Sequence, residues 1–232
     1  MAIAFDAASN PTAGTGELSW THTPVGTPRG VLVLVSQAVG VTNEITGVTY
    51  GGSALSAVIG SPTSYSGAGD DGQVYGYFLG VSIPAGAQTV VVSVNGTASA
   101  KQAVCLSTTA AADTEIEDTS TRSQAAGSAP SLNVTLGASV AAFVAGVMFT
   151  GQGTGANLSI DAGLTQVLLH DFGISIGGFA RRTDIETGAG DFAVGWTDTG
   201  NLEHAMIAVA LKESASGIPA GVLAAILEDE GD

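Results

Sequence analysis

The stretch ITGVTYGGSALSAV, residues 45–58, sets the fold class of this chain. Before the pair Gly51-Gly52, Val48 and Tyr50 alternate with Gly47 and Thr49, and the alternation resumes after the pair. Two consecutive glycines can take the positive φ angles that a tight two-residue turn requires. The stretch therefore predicts a β-hairpin, and runs of similar length recur along most of the chain.

Further strands are predicted throughout residues 1–213, separated by turns rich in Gly, Pro and Asn. Residues 1–24 are polar, with a first strand predicted at 18–23. Residues 31–35 form a continuous apolar run, which is typical of a strand buried on both faces. Residues 89–94 alternate instead, with valines on one face. These patterns predict an all-β chain, an antiparallel β-sandwich.

The order of patterns in the second half resembles the order in the first. Residues 110–128 are acidic, then rich in Ser and Ala, and lack periodicity, so they predict a long connection. After it, residues 140–149 correspond to 31–35, and 191–197 correspond to 89–94. We therefore predict one sandwich domain at 1–213 with two pseudo-repeated halves, at about 1–112 and 129–213. A plain meander of similar strands would give much the same pattern.

The chain changes character after Lys212. Residues 214–217 are small and polar and predict a flexible lead, and Pro219 suits a first helical turn. The residues that follow predict a short C-terminal helical tail within 214–232, too short to be stable alone. Its apolar residues should dock, either on the chain's own sandwich or on a neighbouring subunit, and we favour the neighbouring subunit. The predicted partner-binding residues are Ile218, Val222, Leu223, Ile226 and Leu227.

Composition disfavours several classes of partner. Six Lys and Arg face 21 Asp and Glu, for a formal net charge of −15. Such a balance disfavours binding to nucleic acid and to anionic membranes.

Cys105 is the only cysteine, so no intrachain disulfide can form, and its apolar neighbours predict a small buried side chain. The first residues lack the basic region of a signal peptide, so we expect synthesis and folding in a cytoplasm.

No catalytic motif is found in the sequence. It contains no G-x-S-x-G elbow, no phosphate-binding G-x-x-x-x-G-K-[ST] loop and no H-E-x-x-H zinc motif. A site of three histidines is geometrically possible, but scattered histidines with local partners are the favoured interpretation for His22, His170 and His204. We therefore predict no metal, no cofactor and no enzymatic activity.

The densest group of carboxylates lies in the predicted connection. Carboxylate oxygens at alternate positions could bind Ca²⁺, but a solvated loop is the favoured interpretation for Asp113, Glu115, Glu117 and Asp118. A glycoside hydrolase would need two paired carboxylates, whose separation a sequence does not show. Sugar binding also needs exposed rings, and Trp196 alternates with core-like residues, which predicts a buried indole.

Several motifs, taken in order, resemble a known family. They are WTHT (20–23), VLVLV (31–35), ITGVTYGGSAL (45–55), VYGYFL (74–79), PAGAQTVVVSV (84–94) and AVCLS (103–107). They are similar to a Gly/Val-rich β-sandwich domain found in virion proteins of tailed phages and in bacterial surface proteins. The similarity covers about residues 1–213. It implies a jelly-roll-like sandwich used for display or assembly, with no catalytic residues to carry over.

Three functions follow as expectations. The first is a structural protein of a bacteriophage virion, a capsid decoration protein or a minor tail or fibre component, binding other virion proteins and forming a homo-oligomer. The second is a carbohydrate-binding or adhesion module, which rests on sandwich architecture alone. The third and weakest is a β-sandwich glycoside hydrolase.

For the hydrophobic core, we predict that four residues lie between the two sheets: Trp196, Val33, Val92 and Ile207.

Overall fold

The computed structural model describes residues 2–38, 44–66, 71–96, 99–124, 130–138, 140–151, 158–173, 175–198 and 203–215. Across these ranges the chain is all-β and antiparallel, with nineteen strands and no helix. None of the described segments is a helix of the length and apolarity that would be needed to cross a membrane. The predicted helical tail from residue 218 onward lies outside the described residues.

The first ten strands occupy residues 4–109. They are β1 (Ala4–Ser9), β2 (Leu18–His22), β3 (Gly30–Ala38), β4 (Ile45–Tyr50), β5 (Ser53–Ala54), β6 (Ser56–Ala57), β7 (Thr63–Tyr65), β8 (Gly72–Leu79), β9 (Gln88–Val94) and β10 (Ala100–Thr109). One sheet, the first inner sheet, has the order β1-β10-β3-β8-β6, with β7 also paired to β8. The first outer sheet has the order β2-β9-β4-β5.

The other nine strands occupy residues 114–213. They are β11 (Thr114–Gln124), β12 (Ser131–Leu136), β13 (Ala141–Gly151), β14 (Leu158–Ile160), β15 (Leu164–Asp171), β16 (Ser175–Arg182), β17 (Glu186–Thr187), β18 (Gly190–Asp198) and β19 (His204–Glu213). The second inner sheet has the order β11-β19-β13-β16-β15, with β17 also paired to β13. The second outer sheet has the order β12-β18-β14.

The two halves use the same strand order. In each inner sheet the first strand of the half pairs with its last strand, which pairs in turn with the third: β1-β10-β3 and β11-β19-β13. In each outer sheet the second strand pairs with the penultimate one, as β2 does with β9 and β12 does with β18. The second half therefore begins at β11, close to residue 113.

The four sheets are stacked, and three hydrophobic cores lie between them. The central core lies between the two inner sheets and contains Leu34 of β3 and Phe149 of β13. The first outer core lies between the first inner and outer sheets and contains Val33 and Val92. The second outer core contains Trp196 and Met148. Each inner sheet is therefore covered on both faces.

This stacking accounts for the continuous apolar runs. Along β3 the residues at 32 and 34 face the central core, whereas those at 31, 33 and 35 face the first outer core. Along β13 the residues at 143, 145, 147 and 149 face the central core, and those at 142, 144 and 148 face the second outer core. Successive strand side chains point to opposite faces, so both faces must be apolar here.

The predicted hairpin is present but shorter than expected. Gly51 and Gly52 both have positive φ, 55° and 82°, and Tyr50 pairs with Ser53 across the turn. The second arm then divides: β5 pairs with β4, while β6 pairs with β8 in the inner sheet. The segment after the glycines therefore links the outer sheet to the inner sheet.

The prediction of a long connection at 110–128 is wrong for most of that segment. Residues 114–124 form β11, which pairs with β19 along its length, with a register shift between Ile116 and Asp118. The strand lies at the edge of its sheet, so its side chains are mostly half-exposed. A polar sequence without periodicity is compatible with such an edge, and it concealed the strand.

The four predicted core residues are all buried, as expected from their apolar runs. They are Trp196 at 0% relative exposure, Val33 at 0%, Val92 at 0% and Ile207 at 1%. They do not share one core, however: Ile207 lies in the central core and Trp196 in the second outer core. The expectation of a single pair of sheets is therefore replaced by four sheets with three cores. Cys105 is buried and unpaired, as predicted.

Candidate functional site

The predicted partner-binding residues Ile218, Val222, Leu223, Ile226 and Leu227 lie outside the described residues, so the structure places only the point from which they leave. That point is Ser214, directly after β19. Its backbone N–H and its hydroxyl both donate to the carbonyl of Asp113, each at 2.8 Å. The tail therefore starts from a fixed position beside the first residue of the second half.

A small groove lies beside this point. Its volume is about 230 Å³, and we call it the exit groove; it is lined by Ala2, Ile3, Val140, Ala141, Lys212 and Glu213. Residues from the start of the chain, from the lead into β13 and from the end of β19 thus meet at one corner. Four of the six lining side chains are apolar, so the groove offers aliphatic contacts to an occupant.

The charged side chains at the rim of the exit groove have partners within the chain. Lys212 Nζ lies 2.5 Å from Glu117 Oε2 and 3.3 Å from Glu115 Oε1. The Glu117 and Glu115 carboxylates raise the pKa of Lys212, and the bond to Lys212 lowers the pKa of Glu117. Glu213 Oε1 accepts a hydrogen bond from the N–H of Ala112 at 2.7 Å.

The acidic group at 113–118 has partners within the chain, and three of its four carboxylates lie on β11. The Asp113 carboxylate lies 3.4 Å from Arg29 Nη1. Asp118 Oδ2 accepts from the N–H of Thr135 at 2.7 Å, and Glu117 Oε1 accepts from the N–H of Gly137 at 3.2 Å. Among the described residues no group of three or more His, Cys, Asp or Glu could hold a metal ion. The favoured interpretation of a solvated loop is nevertheless wrong for Glu115, Glu117 and Asp118, because they belong to the hydrogen-bonded strand β11, which Asp113 precedes.

The three histidines lie in different places. His22 is on β2 in the first outer sheet, whereas His170 and His204 are on β15 and β19 of the second inner sheet. His170 packs edge-on against Phe172, with ring centroids 4.7 Å apart. His22 and His204 are both fully buried. The structure does not bring the three together, which agrees with the interpretation of separate side chains.

His22 is the centre of a polar network that links the first inner and outer sheets. Its Nε2 lies 2.9 Å from Ser107 Oγ on β10, and its Nδ1 lies 2.8 Å from Ser9 Oγ on β1. The Ser107 hydroxyl donates to Asp6 Oδ2 at 2.8 Å, and the Trp20 indole N–H donates to Ser9 Oγ at 3.0 Å. Strands β1, β2 and β10 are joined by these bonds.

The direction of donation fixes the tautomer of the imidazole. Because the Ser107 hydroxyl hydrogen goes to a carboxylate, the Ser107 oxygen accepts from Nε2–H, which leaves Nδ1 to accept from Ser9. Burial lowers the pKa of His22, while the Asp6 carboxylate raises it. A serine that donates to a histidine is also how nucleophiles are activated. Here the Ser9 oxygen also accepts from Trp20, which commits the hydroxyl to the interior network.

A buried ion pair lies at the far end of the same inner sheet. Lys101 is 0% exposed, and its Nζ lies 2.7 Å from Glu44 Oε2. The ammonium also donates to the carbonyls of Thr15 at 2.9 Å and Ser99 at 2.7 Å. Burial raises the pKa of Glu44, but hydrogen bonds from Lys101 and Ser99 outweigh it and lower that pKa overall. The pair fixes the start of β10 to the segment before β4.

Sequence reasoning did not identify the His22 network or the ion pair. One signal was present: Lys101 and Gln102 lead directly into the apolar run 103–106, at a position where a lysine needs a partner when it is buried. The identity of that partner depends on a contact between residues 57 positions apart, from 44 to 101, which no local pattern shows. The network joins Ser9 to Ser107 in the same non-local way.

All six basic side chains are engaged within the chain. Four form ion pairs, Arg29, Lys101, Arg182 and Lys212. Arg122 donates to the Ser131 carbonyl at 3.1 Å, and Arg181 lies over the ring of Phe5, 4.0 Å from its centroid. The chain contains 21 acidic residues, so the excess charge is negative.

Three large apolar side chains are exposed among the described residues. They are Val25 at 88%, Ile59 at 80% and Val81 at 60%. Each lies in a loop, after β2, β6 and β8 respectively. Single exposed apolar residues are normal on a protein surface, so these alone do not define an interface.

Comparison with known proteins gives no relative. No protein-family description, no curated protein and no solved structure matches this chain. A functional assignment therefore has to come from the strand order, the charge distribution and the corner from which the tail leaves.

Proposed function

We propose that the chain is a non-enzymatic structural protein of a bacteriophage virion, acting as a capsid decoration protein or a minor tail or fibre component. The observation that carries the proposal is the strand order of the two halves. We infer that each half is a jelly roll. If the short strands β5, β6 and β7 are counted as one and the two-residue β17 is left out, each half has eight strands. The inner sheet then has the order first-last-third-sixth and faces an outer sheet of order second-penultimate-fourth, as in an eight-stranded jelly roll. Jelly rolls are common in viral capsid proteins and in lectins.

The charge distribution supports a protein partner. The basic side chains are engaged internally, so the acidic excess is left to the surface and to the tail. Such a surface repels phosphate backbones and suits a soluble, outward-facing shell protein. In this proposal the acidic end at 228–232 stays in solvent or meets a basic surface on the partner.

The C-terminal segment supplies the contact in this proposal. Residues 219–227 form a short helix whose apolar side chains bind a neighbouring virion subunit or a second copy of the chain. Burying each side chain gains about 1.5–3 kcal/mol. An isolated helix of this length is not stable in water, so contact with the partner and folding of the segment occur together. The site residues are Val222, Leu223, Ile226 and Leu227, with Ile218 before them.

The test is to express the tagged full chain in its native host during infection, isolate what co-purifies and image it by electron microscopy. We expect capsids or tails decorated by the chain. Leu223→Asp together with Ile226→Asp should abolish the association, whereas Val25→Asp, at an exposed loop position, should leave it intact. Purification free of particles would overturn the proposal. Retention on a glycan array would then favour the carbohydrate-binding or adhesion module.

A further inference from the structure

The size of the exit groove defines what it can hold. Its volume of about 230 Å³ is below the roughly 300–1,000 Å³ of pockets that take drug-sized ligands. Ile3, Val140 and Ala141 give it apolar walls, and the charged groups of Lys212 and Glu213 are bonded to the chain itself. The groove therefore suits an aliphatic side chain better than a drug-sized ligand.

The chain leaves the described structure at this groove. Glu213 lines it, and Ser214 is held by two hydrogen bonds to the Asp113 carbonyl. Ile218 follows four residues later, a reach of about 13–14 Å at roughly 3.3–3.6 Å per residue. So short a tether gives an effective concentration in the mM range, which favours the chain's own segment over a second copy.

Within the tail, Ile218 differs from the other four apolar residues. It directly precedes Pro219, and a residue before proline is restricted to extended conformations. It therefore precedes the helix expected from Pro219 and does not share the apolar stripe of Val222, Leu223 and Ile226. A side chain at this position is free to bind at the root of the tail while that stripe faces elsewhere.

The first half offers an internal parallel. The chain leaving β10, the counterpart of β19, packs at once against the other half, with Ala110 partly buried against the central core. Four residues later, the N–H of Thr114 donates to the carbonyl of Arg29 at 2.9 Å. The corner after β10 is thus covered by the segment that follows it. The corner after β19 is where the exit groove lies.

We propose that the exit groove binds the side chain of Ile218 from the chain's own C-terminal segment. This contact anchors the root of the tail and leaves Val222, Leu223, Ile226 and Leu227 available to the partner. The role of those four residues rests on the proposed function, whereas the anchor is a property of the isolated chain.

Disulfide trapping in the full-length chain tests the anchor. Ala2 is exposed at the groove, so Ala2→Cys with Gly217→Cys, a pair that keeps Ile218, should form an intramolecular disulfide under mild oxidation. Ala111→Cys with Gly217→Cys is the matched control, because Ala111 is exposed and does not line the groove. We expect trapping about tenfold faster in the first pair, and loss of that difference when Ile218→Ser is added, since burying one aliphatic side chain shifts an equilibrium by that factor or more. The native Cys105 is buried and does not compete.

Equal rates in the two pairs would overturn the proposal, and so would disulfide-linked dimers, which would identify a second copy as the occupant. Alkylation of Ala2→Cys by a maleimide gives an independent readout. It should accelerate when Ile218→Ser is added and stay unchanged with Leu227→Ser. Loss of trapping with particle binding intact would reject the anchor alone. Normal trapping without any particle would reject the proposed function alone.

Discussion

Lys101 is the only fully buried Lys or Arg among the described residues, and one carboxylate, that of Glu44, compensates its charge. Removing one member of a buried pair leaves the other charge without compensation, which costs about 3–5 kcal/mol. We expect Lys101→Met to lower the free energy of unfolding by that amount, measured by urea denaturation. Glu44→Leu added to Lys101→Met should restore much of the loss, because no buried charge remains.

Arg29→Met provides the comparison for an exposed pair, since the Arg29 and Asp113 side chains are 41% and 39% exposed. Its effect should be below about 1 kcal/mol. If Lys101→Met were equally mild, the ammonium would have to reach water in the folded chain. The inferred connection between β10 and the segment before β4 would then be wrong.

His22 makes the stability of the first half depend on pH. Burial lowers its pKa below 6.5 in the folded chain, so the unfolded chain takes up the proton first. The contribution of neutral His22 to the free energy of unfolding is therefore complete above pH 6.5. It is lost as the pH falls below that value, at up to about 1.4 kcal/mol per pH unit. Urea midpoints between pH 5.5 and 8 should show this slope, and His22→Gln should flatten it.

His170→Gln is the control for this titration, because His170 is only partly buried and lies in the other half. Burial lowers its pKa as well, so a smaller change of slope is expected. A wild-type slope that persists in His22→Gln would show that other groups cause the pH dependence.

At the scale of the element, β11 determines whether the acidic group could act as a metal site. Its carboxylates already accept from Lys212 and from the N–H groups of Thr135 and Gly137, and Asp113, directly before the strand, is paired with Arg29. Binding of Ca²⁺ would have to displace these partners, so we expect EDTA to leave the melting temperature unchanged. A fall of several degrees that Ca²⁺ reverses would contradict this assignment.

Strands were predictable from sequence where burial dictates composition. The inner strands β3, β13 and β19 are covered on both faces and read as continuous apolar runs, and β9 alternates because one face is open. The edge strands β1 and β11 escaped prediction. Each pairs on one side only, with β10 and β19, and their half-exposed side chains need not be apolar.

Only the tail residues of the candidate site could be predicted from sequence, because their spacing indicates an apolar helical face. The exit groove could not be predicted, because it combines Ile3, Val140 and Lys212 from three distant parts of the chain. No local pattern brings such residues together. The stacking of four sheets was missed for the same reason, since a two-faced apolar strand shows that both faces are covered without showing what covers them.

At the scale of the whole molecule, the central core joins two halves that each have a complete strand order. We expect fragments 1–112 and 113–232 to form a 1:1 complex when they are co-expressed, detectable by size-exclusion chromatography with light scattering. Each fragment alone should aggregate, because Leu32 and Leu34, or Phe143 and Phe149, would face water.

Val25→Asp in the first fragment is the control for this experiment, because Val25 is 88% exposed and lies outside the hydrophobic cores. It should leave the complex unchanged. Two soluble fragments that remain monomeric when mixed would show that the halves are independent domains.

The position of β10 and β19 also determines the order of events on the ribosome. Each is the last strand of its half, yet each lies between two other strands of its inner sheet. Neither inner sheet is therefore complete before its final strand has been synthesised. The first inner sheet can be complete once residue 109 has been synthesised. Its face toward the central core is covered only when the second inner sheet is complete, which requires β19, ending at residue 213. At roughly 5–20 residues per second, that face is left uncovered for about 5–20 s of translation. During this interval the nascent chain is open to chaperones, and two neighbouring nascent chains on one message could pair through the same face.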